Sequence, residues 1–248
     1  MSLTAAGFSP VALDLPGFGA RQPVGRLDFE ELAADVEDAI AARALPRPAL
    51  IGHSLGGMIV QTMLRRRPDA YRAAVLVATS AAFGNPDAEL QRRFIAERLG
   101  PLDAGSTMAE LAPRLIAAIV GAKVDPLARA IAIAAMSAVP PQTYRAAVNC
   151  LLAFDERANL AAIRVPTLCV AGEKDPNAPP AMMRRMAAKI PGARYLSLDG
   201  VGHLPNLEAP LAFDRAIVAF LRRLPQSHGA KAGSRRRRAP SSAAGDGA

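Results

Sequence analysis

Along this chain, apolar runs of strand length alternate with stretches where apolar residues recur every three or four positions. That alternation predicts βα units and a parallel sheet. Pro10 to Asp14 reads as a first strand, closed by the turn Pro16-Gly17-Phe18-Gly19. A helix is predicted from Asp28, as N-cap, to Ala44, with Phe29, Leu32, Val36 and Ile40 on its apolar face. Ala49 to Gly52 is the next strand, followed by a turn, a helix through Met58, Ile59, Met63 and Leu64 to Arg67, and a strand from Ala73 to Ala78. Between Thr79 and Leu160 the rhythm turns Ala-rich and helical, with breaks predicted at Gly100-Pro101, Asp125-Pro126 and Pro140-Pro141 and no strand. Strands resume at Pro166 to Ala171 and Ala193 to Leu198, with helices at Pro180 to Ile190 and Pro210 to Leu221.

The expected organisation is one α/β domain over 1–224, with its core in 1–81 and 159–224. A helical lid spans 82–158, and a disordered basic tail spans 225–248. A length of 248 residues with 51% hydrophobic positions suits one sizeable core. No apolar run reaches about 18 residues, so no transmembrane helix is predicted. Met1 to Leu15 lacks the basic start and cleavage pattern of a secretory signal. Cys150 and Cys169 lie in apolar segments and read as buried thiols of a reducing compartment, so a cytoplasmic location is expected. No cluster resembles a metal site.

The net charge of +8 is the one feature that suggests nucleic acid. Half of it comes from the tail, where Lys231 and Arg235–Arg238 outweigh Asp246. That tail could contact an acidic partner, but the chain has no Trp and few aromatics to stack bases. Nucleic-acid binding is therefore not expected of the folded part.

The chemistry concentrates in Gly52-His53-Ser54-Leu55-Gly56, which falls between a predicted strand and a predicted helix. A serine on so tight a turn needs small neighbours, and the turn lifts its hydroxyl above the C-terminal edge of the sheet. The following helix N-terminus offers the Leu55 N–H to a developing oxyanion. Ser54 is the predicted nucleophile. Of three histidines, His228 falls in the tail, and His53 should point away from the hydroxyl's partner. His203, in a loop after the last strand, is left as the base. Asp175, in the loop after the strand Thr167–Ala171, is favoured to orient it because the order Ser, Asp, His suits this architecture. Glu173 competes from the same loop, and Asp199 suits a turn-capping role better.

Taken together, Asp14–Gly19, Gly52–Gly57, Gly172–Asp175 and Gly202–Glu208 make residues 1 to 224 resemble the α/β-hydrolase superfamily. Within it, the helical insertion and Gly202–Glu208 look most like 3-oxoadipate enol-lactonases and neighbouring carboxylesterases. The resemblance implies a mostly parallel sheet with helices on both faces and a helical lid. It also implies a Ser54–Asp175–His203 triad and a cofactor-free acyl-enzyme hydrolysis of a small-molecule ester or lactone. In such proteins the strand ending at Asp14 follows earlier strands and an oxyanion loop, which this sequence does not show. The chain is therefore expected to be an N-terminally truncated member lacking a strand between those ending at Asp14 and Gly52. Met1 would then be internal to a longer reading frame, or the truncation would be genuine. Loss of one oxyanion donor lowers turnover by about 10²–10³. Two alternatives stand beside ester hydrolysis: carbon–carbon hydrolysis of a ring-fission product on the same triad, and a non-catalytic binding protein on this fold. Eight lid cations match eight lid carboxylates, so charge does not select a substrate, and the pattern does not specify an oligomeric state.

Overall fold

Asp28 starts the first helix, α1 (Phe29–Ala42), by accepting hydrogen bonds from the Glu30 and Glu31 amides. In doing so it satisfies donors that a helix start leaves open. The structure is a computed structural model and describes residues 2–83 and 88–224; the tail expectation for 225–248 lies outside the described residues. After α1 come β1 (Ala49–His53), α2 (Leu55–Arg66) and β2 (Ala73–Val77). Four helices follow: α3 (Ala88–Asp103), α4 (Met108–Ala117), α5 (Pro126–Ser137) and α6 (Pro141–Leu151). The described residues then continue through β3 (Thr167–Gly172), α7 (Pro180–Lys189), β4 (Arg194–Leu198), the short α8 (Pro205–Glu208) and α9 (Pro210–Arg222).

The strands form one parallel sheet in the order β1-β2-β3-β4. β2 is buried throughout, and its alternate side chains feed two cores. Ala74 and Leu76 join α1, α2 and α7 on one face, whereas Val75 and Val77 meet Ile217, Phe220 and Leu221 of α9 on the other. Because all strands run the same way, their C-terminal ends lie along one edge. Among the described residues no helix is long and apolar enough to cross a membrane.

Two expectations are corrected. Pro101 does not break α3, and Pro113 sits inside α4. Asp125-Pro126 and Pro140-Pro141 do act as boundaries, since each places proline in the first helical turn, where its missing N–H is harmless. The second correction is the strand expected at Pro10 to Asp14: residues 8–14 run without helical or strand structure and join no ladder. A cavity of about 650 Å³ lies between them and β1, lined by Phe8, Val11 and Leu13 on one side and Ala49 and Ile51 on the other. Val11 and Ile51 are 49% and 42% exposed. Sheet spacings give five residues of strand roughly 800 Å³, so the gap is comparable to one strand. It lies where the resemblance put a further strand. The apolar pattern of 10–14 is that of a strand, but a strand also needs a neighbour within hydrogen-bonding reach.

Candidate active site

Ser54 occupies the single-residue turn between β1 and α2 with φ 51° and ψ −117°, a conformation that costs a side-chain-bearing residue free energy. The surroundings hold it there. The Ser54 amide donates to the Val77 carbonyl (2.9 Å), and the Thr79 hydroxyl donates to the Ser54 carbonyl (2.8 Å). A Cβ on Gly52 would fall 2.3 Å from the Gly56 carbonyl oxygen, and one on Gly57 would fall 2.6 Å from Thr79 Cγ2. Leu55 begins α2, and among the described residues its N–H meets no backbone acceptor.

The loops after β3 and β4 bring the other two residues to Ser54. His203 Nε2 lies 3.0 Å from Ser54 Oγ, and its Nδ1 lies 2.8 Å from Asp175 Oδ2. Asp175 and His203 are 3% and 6% exposed. The other Asp175 oxygen accepts from the Asn177 and Ala178 amides (2.8 and 3.0 Å), which fixes the carboxylate plane. With Nδ1–H donating to the carboxylate, Nε2 is free to accept the serine proton. Ser54, Asp175 and His203 therefore meet, with Leu55 N–H beside them.

The competing residues go elsewhere. Glu173 accepts from the Gly200 amide and from Lys174, in that order of effect, and both hold its pKa below the ordinary value. Asp199 is exposed, and His228 lies outside the described residues. Cys150 and Cys169 are buried free thiols whose pKa values burial pushes up to about 11 and about 12.

His53 corrects the sequence reading, which turned its side chain away from His203. Its Nε2–H donates to the His203 carbonyl at 2.6 Å, and the two rings lie 5.1 Å apart. Burial, and then the neighbouring His203, lower its pKa to about 4. The folded protein thus keeps His53 neutral down to about pH 4, whereas the unfolded chain takes up that proton near 6.5. As pH falls the unfolded state binds the proton first, so stability drops between pH 6.5 and about 4, by at most about 3 kcal/mol. Urea unfolding midpoints measured across this window should fall for wild type and fall less for His53→Gln. Parallel curves would remove His53 as the cause.

Glu208 is a second residue whose part was not foreseen. One of its oxygens accepts from the Gly121 and Gly202 amides (2.7 and 2.8 Å) and the other from Leu204 (2.9 Å). The His203 amide in turn donates to the Ile119 carbonyl at 2.7 Å. One carboxylate thus ties the His203 loop to the connection between α4 and α5. Its only sequence signal was the spacing Gly202-His203-x4-Glu208.

Above Ser54 and His203 lies a cavity of about 500 Å³, walled mainly by apolar side chains such as Phe18, Met58, Phe83, Ile116, Met136 and Leu207. The walls come from the elbow, from α3 to α6 and from the His203 loop.

A family model described as "Alpha/beta hydrolase family" matches residues 1–216. The chain is 34% identical over 217 residues to the polyketide synthase ThaQ of Burkholderia thailandensis, covering 83% of this chain and 10% of that protein. It is 31% identical over 224 residues to a pimeloyl-[acyl-carrier protein] methyl ester esterase of Chromobacterium violaceum, covering 88% of this chain and 85% of the esterase. Among solved structures, the enol-lactonase from Burkholderia xenovorans superposes with a TM-score of 0.73 at 28% identity, covering 84% of this chain and 79% of that one.

Proposed function

The chain belongs to the alpha/beta hydrolase family, and from that premise we propose that it hydrolyses a small carboxylic ester or lactone through an acyl-enzyme on Ser54. The observation that carries this reading is the continuous hydrogen-bond chain from Ser54 Oγ through His203 to Asp175 at the floor of an apolar cavity. Ser54 Oγ attacks the carbonyl carbon while His203 Nε2 takes its proton. The oxygen that becomes negative is met by the Leu55 N–H and the start of α2. His203 then returns the proton to the departing alkoxide. Water, deprotonated by His203, cleaves the acyl-serine to release the acid. Asp175 holds the imidazole in the tautomer that this cycle needs and stabilises its protonated form. The cycle draws only on side chains, one backbone amide and water. In this reading α3 to α6 act as a lid that excludes bulk water and lodges the acyl group.

Relatives named as an ester esterase and an enol-lactonase support the ester or lactone class. A fluorophosphonate probe should label the folded protein at Ser54 and leave Ser54→Ala unlabelled. Short p-nitrophenyl esters and lactones should be turned over by the unlabelled wild type, and neither by the labelled protein nor by Ser54→Ala. Folded protein that takes no label would sink the proposal.

A further inference from the structure

Among the described residues, the cavity above Ser54 is lined by one fixed charge. Apart from two imidazoles, its lining consists of apolar side chains, hydroxyls, the Asn177 amide and the guanidinium of Arg98 on α3. Arg98 stacks on Phe94, its guanidinium carbon 5.4 Å from the ring centroid. It also lies against Tyr144, a buried residue of α6 whose hydroxyl pKa is raised by burial while the Arg98 charge pulls it down. Elsewhere in the segment between β2 and β3, Arg92 and Arg93 pair with Glu89, Arg145 with Asp103, and Arg157 with Asp155. Among the described residues, no carboxylate pairs with Arg98.

A guanidinium at an apolar wall has given up part of its water. In that setting Coulomb attraction is weakly screened, and an unpaired charge is costly. Its planar fork matches a carboxylate with two parallel hydrogen bonds. The Tyr144 hydroxyl adds a donor beside it.

We propose that Arg98 and Tyr144 form an anion subsite in the cavity that holds Ser54, so that the substrate is an ester or lactone carrying a carboxylate beyond an apolar chain. This rests on the reading of Ser54 as an ester-hydrolysing nucleophile. The apolar walls take the chain, Arg98 takes its charged end, and the scissile carbonyl is left at Ser54. Arg98 acts on specificity and has no part in the bond-breaking steps.

The test compares monomethyl esters of straight-chain dicarboxylic acids with methyl esters of monocarboxylic acids of equal length. At the best chain length, wild-type kcat/KM should favour the acid ester by about ten-fold or more, the scale of one charge-assisted pair. Arg98→Met should erase that ratio through KM, and Arg98→Lys should keep most of it. A ratio that survives Arg98→Met, or a wild type without preference at any length, would overturn the subsite. The hydrolase reading fails separately, if no ester is turned over in a Ser54-dependent way. In that case calorimetry with the free dicarboxylates still decides the subsite. Binding that is lost in Arg98→Met upholds it, and binding that is absent or indifferent to the substitution rejects it.

Discussion

Asp175→Asn is expected to lower kcat/KM by about 10⁴-fold while leaving the protein folded. The size of the effect follows from which oxygen faces which donor. Asp175 Oδ1 accepts two backbone amides, from Asn177 and Ala178, and Oδ2 accepts His203 Nδ1–H. An asparagine keeps the amides satisfied only by placing its carbonyl oxygen at the Oδ1 position. Its NH2 then faces His203 Nδ1, so Nδ1 must be the acceptor and the proton moves to Nε2. A protonated Nε2 cannot take the Ser54 proton. Steady-state kinetics with a p-nitrophenyl ester, alongside circular dichroism, would read both halves of the expectation. Adding Ser54→Ala to the variant should cost about a further 10²-fold, far less than Ser54→Ala costs the wild type, because residues acting as one unit are not additive. An Asp175→Asn enzyme within ten-fold of wild type would mean that the hydrogen-bond chain is not the catalytic machinery.

The next largest effect is expected from Gly172→Ala, one methyl group at the end of β3. The loops carrying Asp175 and His203 cross at this point with nothing between their backbones. The Lys174 and Glu173 amides donate to the carbonyls of Val201 and Leu198 (2.7 and 2.9 Å). A Cβ on Gly172 would lie 1.9 Å from the Gly202 carbonyl oxygen and 2.6 Å from that of Val201. Both neighbours are backbone, so one loop must move by about 1 Å. Such overpacking costs about 2–3 kcal/mol, and a displacement of that size at the reacting groups costs about 10²-fold in rate. Gly100→Ala on α3 is the control, since its Cβ would meet nothing within 4 Å and alanine favours a helix. Thermal midpoints and kcat/KM of the two variants should therefore diverge. Equal values would show that close approach at Gly172 does not position the site.

The parts of this site that were legible in the sequence share a local cause. The elbow is written in five consecutive residues because its sterics are local. Asp175 and His203 were found because strand-end loops in a parallel sheet share one edge. Burial of alternate residues on both faces of β2 and β3 made the apolar runs plain. What stayed hidden depends on contacts between distant segments. Pro10 to Asp14 has the composition of a strand, yet pairing is decided by a neighbour and not by composition. His53 and Glu208 act through backbone groups of remote loops, which leave no side-chain signature. Arg98 could not be singled out among eight lid cations, because the choice depends on how α3 is rotated over the cavity. Pro101 shows the reverse case, a strong local breaker signal overridden within a packed helix.

The strand that leads into the nucleophile, β1, is an edge strand of the described sheet. Along 49–53, the amides facing β2 are bonded, while the outward-facing ones have no backbone acceptor among the described residues and face the gap beside Ile51. Alternate amides of β1 should therefore exchange with deuterium far sooner than those of β2, which is paired on both sides. The elbow is thus anchored chiefly through Val77 and Thr79 on one flank, so it can open without the rest of the sheet. Under mild denaturant, loss of the reactive serine should precede loss of the helical signal, and activity becomes a gauge of this edge rather than of global unfolding.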